Sequence, residues 1–480
     1  MSTARQLKPK NPEMTQRHQS RLEIRLSDGI KAHVILSPTD RFEVEVFDLN
    51  SFGASIVYRG SDDSRFQQGT EISLHIHFPD GAALSYTARV CWIAPLGSAA
   101  RIGVEFAGQV GVPHPWKSES DVVRFELPDY FAITGFFYKP YMFLERGHLR
   151  VSHVSATHLG FIFYDSEVIL FRGQKLKVWI LGGSRDSDGL EIEIQNVRRG
   201  DGRSVLVDAT ITRAPKSFLE WLAHQLIFIC EKSPSDVRKY GFTVNRVSNG
   251  FRFRFVRTQE EYEAVLDLRY QAYLEAGKID ATKTPADMAA PLDPKSRILV
   301  CYHGDRIVAS VAISFPSHDD EVLDTERAFV GGYPKPMPPK TQMVEISRLC
   351  TDSDYRKTDL LNRMFEYTYK VTVCGDRDYI TTSTDAKLWP LYKKLGFKKT
   401  GMSYAHPYLS GLEHHVIVGK RTQPDFGNQI SPLVWNYLWR DMNQFMDQRG
   451  LIEMTWGRRL KNRMMVALGR LLKIQTDRMY

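Results

Sequence analysis

Asp48-Leu49-Asn50-Ser51-Phe52-Gly53, running into the alternating stretch Ala54-Ser55-Ile56-Val57-Tyr58, is the segment on which the reading of the fold turns. A polar, turn-forming run followed by period-two alternation predicts a hairpin feeding a half-buried strand. The same grammar returns as Ser155-Ala-Thr-His-Leu-Gly160 followed by FIFY, and Gly173-Gln-Lys-Leu-Lys-Val-Trp-Ile echoes Gly69-Thr-Glu-Ile-Ser-Leu-His-Ile. A period of roughly 100 residues means duplication of a whole domain rather than a solenoid.

Around the first copy, LEIRL, KAHVIL, FEVEVFDL, EISLHIHF, LSYTARVCWI and RIGVEF over 22–108 are short strands. The turns Ser27-Asp28-Gly29, Phe78-Pro79-Asp80-Gly81 and Pro95-Leu96-Gly97-Ser98 separate them. Regular short strands with polar turns predict a small barrel or sandwich. Around the second, GLEIEIQNVRR and SVLVDATI continue the pattern, and apolar residues at 218, 219, 222, 223, 226 and 227 predict a closing helix over 215–231.

From about 250 the pattern becomes mixed α/β. Residues 258–276 form a predicted helix with Thr258 as N-cap and Glu261 at the capping-box position. Strands RILVCYH and RIVASVAISF, strand 343–350, helix 358–373, strand 378–383, helix 385–395 and strand 414–420 follow, and 431–480 reads as two further helices. The expected fold class is therefore multidomain: two tandem small β-barrels, an α/β acyltransferase-like domain and a helical tail. The expected segments are a leader at 1–14, barrels at 15–110 and 111–235, an α/β domain at 250–420 and a tail at 430–480.

Composition bounds the rest. The 480 residues are 42% hydrophobic and 25% charged, which suits folded globular domains. No apolar run approaches the ~20 residues that span a bilayer. The opening MSTARQLKPKNPEM has no apolar core, so no secretory signal is expected. Five scattered cysteines without metal-ligand spacing suit reduced thiols in a cytoplasm, and no metal site is expected. The net charge of +8 is concentrated at the two ends, with seven Lys or Arg against Asp477 alone in 456–480. The near-neutral middle argues against a nucleic-acid-binding face.

Arg17-His-Gln-Ser-Arg21 precedes the first strand, and Asp48, Asn50 and Gly53 mark the turn after the third. Two arginines four apart can clamp phosphates through planar donors, each charge-assisted bond worth about 1.5–3 kcal/mol. These motifs resemble the PilZ family, RxxxR followed by [DN]xSxxG on a small barrel, with Asn50 where the family usually has Ser. The resemblance implies cyclic di-GMP as a regulatory ligand at Arg17, Arg21, Asp48, Asn50 and Gly53. The nucleotide would order the leader against the barrel. The second copy lacks the Asp and a comparably placed RxxxR, and is expected to be a non-binding, PilZ-like packing domain.

In the α/β region, Arg269-Tyr-Gln-Ala-Tyr273, Glu345-Ile-Ser-Arg348-Leu and Leu391-Tyr392-Lys-Lys-Leu-Gly396-Phe397 occur in order. Together they resemble the GNAT superfamily, in the branch of acyl-homoserine-lactone synthases and FeeM-type N-acyl amino acid synthases. The resemblance implies an N-acyltransferase needing no cofactor for its chemistry. Glu345 would accept the amine proton, Tyr392 protonate the departing thiolate, and Arg348 and Arg269 bind the acceptor carboxylate or order the cleft. Glu345 should then border a channel wide enough for a fatty tail. Where most of the superfamily cradles a pyrophosphate with glycines, this chain has Arg356-Lys-Thr-Asp359-Leu-Leu361. That pattern favours acyl carrier protein over coenzyme A as donor. Ala309-Ser-Val-Ala312, where the lactone synthases usually carry an Arg, favours an amino-acid-like acceptor. The tail pairs the apolar stripe Leu460, Met464, Leu468, Leu471 and Leu472 with basic residues. It suggests peripheral contact with the inner face of the cell membrane, or a dock for the acidic carrier protein. The competing reading is a non-catalytic cyclic di-GMP receptor whose acyltransferase-like domain binds an acyl group or a protein partner.

Overall fold

The computed structural model describes residues 22–24, 29–60, 65–79, 81, 83–109, 123–140, 145–164, 168–182, 189–201, 204–247, 250–407, 409, 411–420, 435–451 and 454–471. The chain divides into two compact units, 1–225 with 238–243, and 226–237 with 244–480.

The first unit holds two closed six-stranded antiparallel barrels. The first is built from β1 (Leu22–Glu23), β2 (Lys31–Ser37), β3 (Asp40–Asn50), β4 (Gly53–Tyr58), β5 (Glu71–His77), β6 (Ala83–Leu96) and β7 (Ala99–Gln109). Its strands close in the ring 2-3-4-7-6-5, with β1 added at the edge of β3. Alternation does what it predicts: Ile72, Leu74 and Ile76 of β5 point into a core with Val34, Ile56, Ile102 and Val104. The second barrel comprises β8 (Phe125–Glu126), β9 (Thr134–Tyr138), β10 (Arg146–Val154), β11 (His158–Phe163), β12 (Lys175–Ile180), β13 (Leu190–Arg199) and β14 (Val205–Arg213). Its ring is 9-10-11-14-13-12 with β8 at the edge of β10, the first topology strand for strand.

The strand registers correct the alignment of the two copies. Asp48 pairs with Ser55, and Ser55 with Gly103. In the second barrel His153 pairs with Gly160, and Gly160 with Asp208. His153 therefore stands in the place of Asp48, and Gly160 in that of Ser55 rather than of Gly53. The barrels also touch: Ile169 and Phe171 join the first barrel's core cluster, and Phe171 stacks on Phe78 with ring centroids 5.9 Å apart. Helices α1 (Lys216–Phe228) and α2 (Pro234–Lys239) follow.

The second unit is a seven-stranded mixed sheet with helices. Its elements are β15 (Arg252–Phe255), α3 (Gln259–Glu275), β16 (Arg297–His303), β17 (Arg306–Ser314), β18 (Met343–Thr351), α4 (Leu360–Cys374), β19 (Tyr379–Thr384), α5 (Trp389–Lys394), β20 (Lys398–Ala405) and β21 (Glu413–Lys420). Thr258 caps α3 as expected, accepting from the Glu261 N–H. β18 and β19 are the parallel pair, and α4 is the crossover that a parallel connection requires. β20, an edge strand that pairs with β21, was hidden in the sequence because its residues are mostly polar and exposed. A π-helical turn at Trp435–Trp439 leads into α6 (Arg440–Gln448), and α7 (Trp456–Leu471) follows. Among the described residues no helix is long and apolar enough to cross a membrane.

Candidate functional site

The chemistry-bearing residues of the second unit gather where β18 and β19 part. The two strands pair only at Met343–Tyr379, Val344–Ile380 and Glu345–Thr381. Beyond Glu345, β18 continues alongside β17 with register shifts between Ser310 and Ala312, and Arg348 takes a left-handed φ of 51°. A non-glycine residue there costs on the order of 1–3 kcal/mol, a strain that concentrates at functional sites. The parted strands open a cavity of about 110 Å³. Ile346 to Leu349 of β18 and Thr382 to Thr384 of β19 line it, with Met288, Leu388, Leu409 and Tyr392 as further wall.

Two ion pairs face this cavity. Arg348 Nη1 donates to Asp324 Oδ2, with both side chains largely buried. Lys278 Nζ donates to Asp385 Oδ2 at 3.1 Å. His406 and His414 also line it; burial, then neighbouring positive groups, push both imidazoles down to about 4, so both are neutral at pH 7. Tyr404 donates to Ser383 Oγ at 2.8 Å, and Ser383 Oγ lies 3.2 Å from His414 Nδ1. Tyr392 lines the same cavity, and burial raises the pKa of its hydroxyl so that it stays protonated.

Glu345 is sealed from this cavity. It is 0% exposed, and its carboxylate accepts three hydrogen bonds, from Asp324 N (2.6 Å), Thr325 N (2.8 Å) and Thr325 Oγ1 (2.7 Å). Burial and then the Asp324 charge raise its pKa to about 7, against those three donors. Glu345 therefore anchors the 324–325 loop from behind and fixes Asp324 opposite Arg348. Arg269 is likewise 0% exposed and away from the cavity. It clamps Asp293 with two bonds (2.6 and 3.1 Å) and donates to Met288 O at 3.2 Å. Burial alone would raise the Asp293 pKa, but Arg269 and the Ala290 N–H hold it below the usual range. The clamp fixes the 288–293 segment, which supplies Met288 and Ala289 to the cavity wall. Sequence reasoning thus found Arg348 and Tyr392 at the cavity and missed Asp324, Lys278, Ser383, Asp385 and Tyr404.

The segment 356–361 carries no glycine cradle. Asp359 is buried at the start of α4, where its Oδ1 accepts from Val247 N at 2.7 Å and it pairs with Arg363.

In the first unit, Arg17 and Arg21 lie outside the described residues. Asp48 is 3% exposed and accepts from Arg101 Nη2 at 2.8 Å, while Arg101 Nε donates to Ser55 Oγ at 2.7 Å. The Arg101 guanidinium lies over the Phe47 ring at 3.8 Å. Asn50 Oδ1 accepts from Phe52 N at 2.9 Å, which tightens the turn that closes on Gly53. Ser51 then reaches the second barrel: its Oγ accepts from Leu170 N (2.9 Å) and donates to Val168 O (3.2 Å). Arg199 lies over Phe52 at 5.0 Å and pairs with Glu105 at 3.0 Å. At the matching place in the second barrel, Asp208 holds His153 (3.1 Å), Arg198 (3.0 Å) and Arg124 (3.6 Å).

Residues 15–111 match the model of the PilZ domain family. Residues 264–416 match that of the family described as N-acyl amino acid synthase FeeM. No curated protein matches the chain. Similar solved structures include FeeM, an N-acyl amino acid synthase from uncultured soil microbes, at 14% identity over 41% of this chain and 98% of that chain, with a TM-score of 0.29. A putative N-acetyltransferase from Lactobacillus plantarum is 13% identical over 36% of this chain and 99% of that one, with a TM-score of 0.27. An acyl-CoA N-acyltransferase from Pseudomonas aeruginosa is 17% identical over 35% and 97%, with a TM-score of 0.26.

Proposed function

We propose that the second unit is an N-acyltransferase. In this reading it moves a fatty acyl group from acyl carrier protein to the amine of an amino acid or similar small molecule, under the control of cyclic di-GMP bound by the first unit. The observation that carries it is the cavity where β18 leaves β19, walled by the Arg348–Asp324 pair, within the segment that matches the N-acyl amino acid synthase family. Past Glu345, β18 has no partner strand on the β19 side among the described residues, so its amides are available to a thioester oxyanion. Arg348 is the cation for an acceptor carboxylate. Tyr392, kept protonated by burial, is the acid for the leaving thiolate. Glu345 and Arg269 act from behind, on the loops that form the wall.

Asp359 at the start of α4 supports a carrier-protein donor. A buried carboxylate there disfavours a pyrophosphate. The tail supports peripheral attachment to a membrane. Trp456, Leu460, Met464 and Leu471 are all exposed and fall within an arc of about 80° on α7. Arg459, Arg463 and Arg470 flank them, while Gly469 on the opposite side is buried against Asn436. In the first unit, Asp48 and the Asn50–Gly53 turn form the floor to which Arg17 and Arg21 would bring a dinucleotide.

The test is mass spectrometry of lipid extracts from cells expressing wild type or Arg348→Ala. New acylated amines with wild type alone are expected. The second reading, a non-catalytic receptor, is favoured by the sealed Glu345. It gains if wild type yields no new acylated amine while calorimetry still detects cyclic di-GMP binding.

A further inference from the structure

Ten titratable groups line the cavity, and most are already committed. Burial pushes the hydroxyls of Tyr273, Tyr392 and Tyr404 up, so none is a base at neutral pH. His406 and His414 pack ring against ring, with centroids 4.7 Å apart, and His414 Nδ1 lies 3.2 Å from Ser383 Oγ. Asp287 is bound to Thr284 through both its backbone N–H (2.8 Å) and its hydroxyl (2.9 Å). Asp385 is held by Lys278 (3.1 Å) and the Leu388 N–H (2.9 Å). Asp324 is different: its carboxylate faces Arg348, the group assigned above to the acceptor's carboxylate. Its backbone N–H is given to Glu345.

We propose that Asp324 is the group that receives the amine proton, and that Glu345 is its positioning residue, an assignment that rests on the acyltransferase reading above. The Asp324 carboxylate occupies the place on Arg348 that a substrate carboxylate would take. An α-amino acid carries its ammonium and carboxylate one carbon apart, so it can insert between two groups that touch. Its carboxylate takes Arg348, and its ammonium meets the displaced Asp324. One ion pair becomes two, and an amine without a neighbouring carboxylate gains only half of that exchange.

The proton then moves from the ammonium nitrogen to the Asp324 carboxylate, leaving a neutral amine. The nitrogen lone pair forms the C–N bond at the thioester carbon while the C=O electron pair moves onto oxygen. On collapse the C–S bond breaks, the thiolate takes a proton from Tyr392, and the nitrogen's second proton returns the Tyr392 hydroxyl. The products are amide, free thiol and a protonated Asp324, which gives its proton to solvent. Glu345 touches no reactant. Its three hydrogen bonds hold the 324–325 backbone so that the Asp324 side chain stays opposite the strained Arg348.

The test uses the full chain with an acyl-carrier-protein thioester and an α-amino acid, and follows thiol release. Asp324→Asn should lower kcat on the order of 100-fold, the contribution of a positioned base, in a protein that still folds. Added formate should restore activity to Asp324→Ala, whose missing carboxylate it can replace. Thr325→Val, which weakens the Glu345 anchor, should raise KM and lower the melting temperature, with no response to formate. Asp324→Asn within about threefold of wild type overturns the assignment. So does a folded Asp324→Ala that formate leaves inactive. Should both variants misfold, Asp324→Glu keeps the charge, and its complete inactivity in a folded protein overturns it equally. If wild type itself releases no thiol, the acyltransferase reading is what fails.

Discussion

Replacing Arg269 with Met should unfold the second unit at markedly lower temperature. The guanidinium is 0% exposed and the Asp293 side chain 2%, and they share two hydrogen bonds. Removing the cation leaves a buried carboxylate without its counter-charge, a loss of about 3–5 kcal/mol. Asp293 would keep Tyr262 Oη (2.8 Å) and Ala290 N (2.8 Å), which places the effect toward the lower end. At about 2–4 °C per kcal/mol for a unit of this size, the melting transition should fall by roughly 6–20 °C. Differential scanning calorimetry of the full chain reads this directly. Arg269→Met with Asp293→Leu should recover part of the loss, because no charge is then stranded, although Tyr262 and Ala290 lose their acceptor. A fall under about 2 °C for Arg269→Met would refute the view that this pair holds the wall, since that is less than one stranded polar group costs.

Arg21→Ala should weaken cyclic di-GMP binding by roughly 10–150-fold, the worth of one charge-assisted bond, and Asp48→Ala should weaken it too; calorimetric titration giving equal affinities would remove the assignment. Acidification should destabilise the second unit. His406 and His414 bind protons near pH 6.5 when unfolded and only near pH 4 when folded, so stability falls as pH drops through that interval, and urea melts of His414→Asn should show a shallower slope. Glu345 acts with the opposite sign. Its raised pKa makes the folded state the better proton binder between about pH 4.5 and 7, so its contribution declines as pH rises, and Glu345→Gln should flatten that limb. Leu460→Asp with Met464→Asp should abolish sedimentation with vesicles containing phosphatidylglycerol while leaving the melting temperature unchanged, because both side chains are already exposed.

Where periodicity and turn chemistry act locally, the sequence was legible. The barrels follow from alternation, and the start of α3 from Thr258. The offset between the copies was not, because Gly160 looked like the motif glycine until the strand ladders showed it opposite His153. The site divided along similar lines. Arg348 and Tyr392 could be picked out because they belong to short motifs. Asp324 sits in the polar stretch Ser317-His-Asp-Asp-Glu-Val-Leu-Asp324, one carboxylate among several, and only the fold places it opposite Arg348. Glu345 and Arg269 are the reverse case. A charged residue within a motif reads as reactive, yet both are enclosed, where a charge persists only by satisfying many partners at once.

The Ser51 clasp bears on how the first unit responds to a ligand. Two hydrogen bonds to the 168–170 segment splice the tip of the recognition hairpin to its neighbour. If a dinucleotide binds as proposed, a displacement it imposes on Asn50 or Phe52 would be handed to the duplicated barrel, which would then work as a lever. Severing that splice, by Ser51→Ala, should leave a sensor that still captures its messenger but no longer passes the news along.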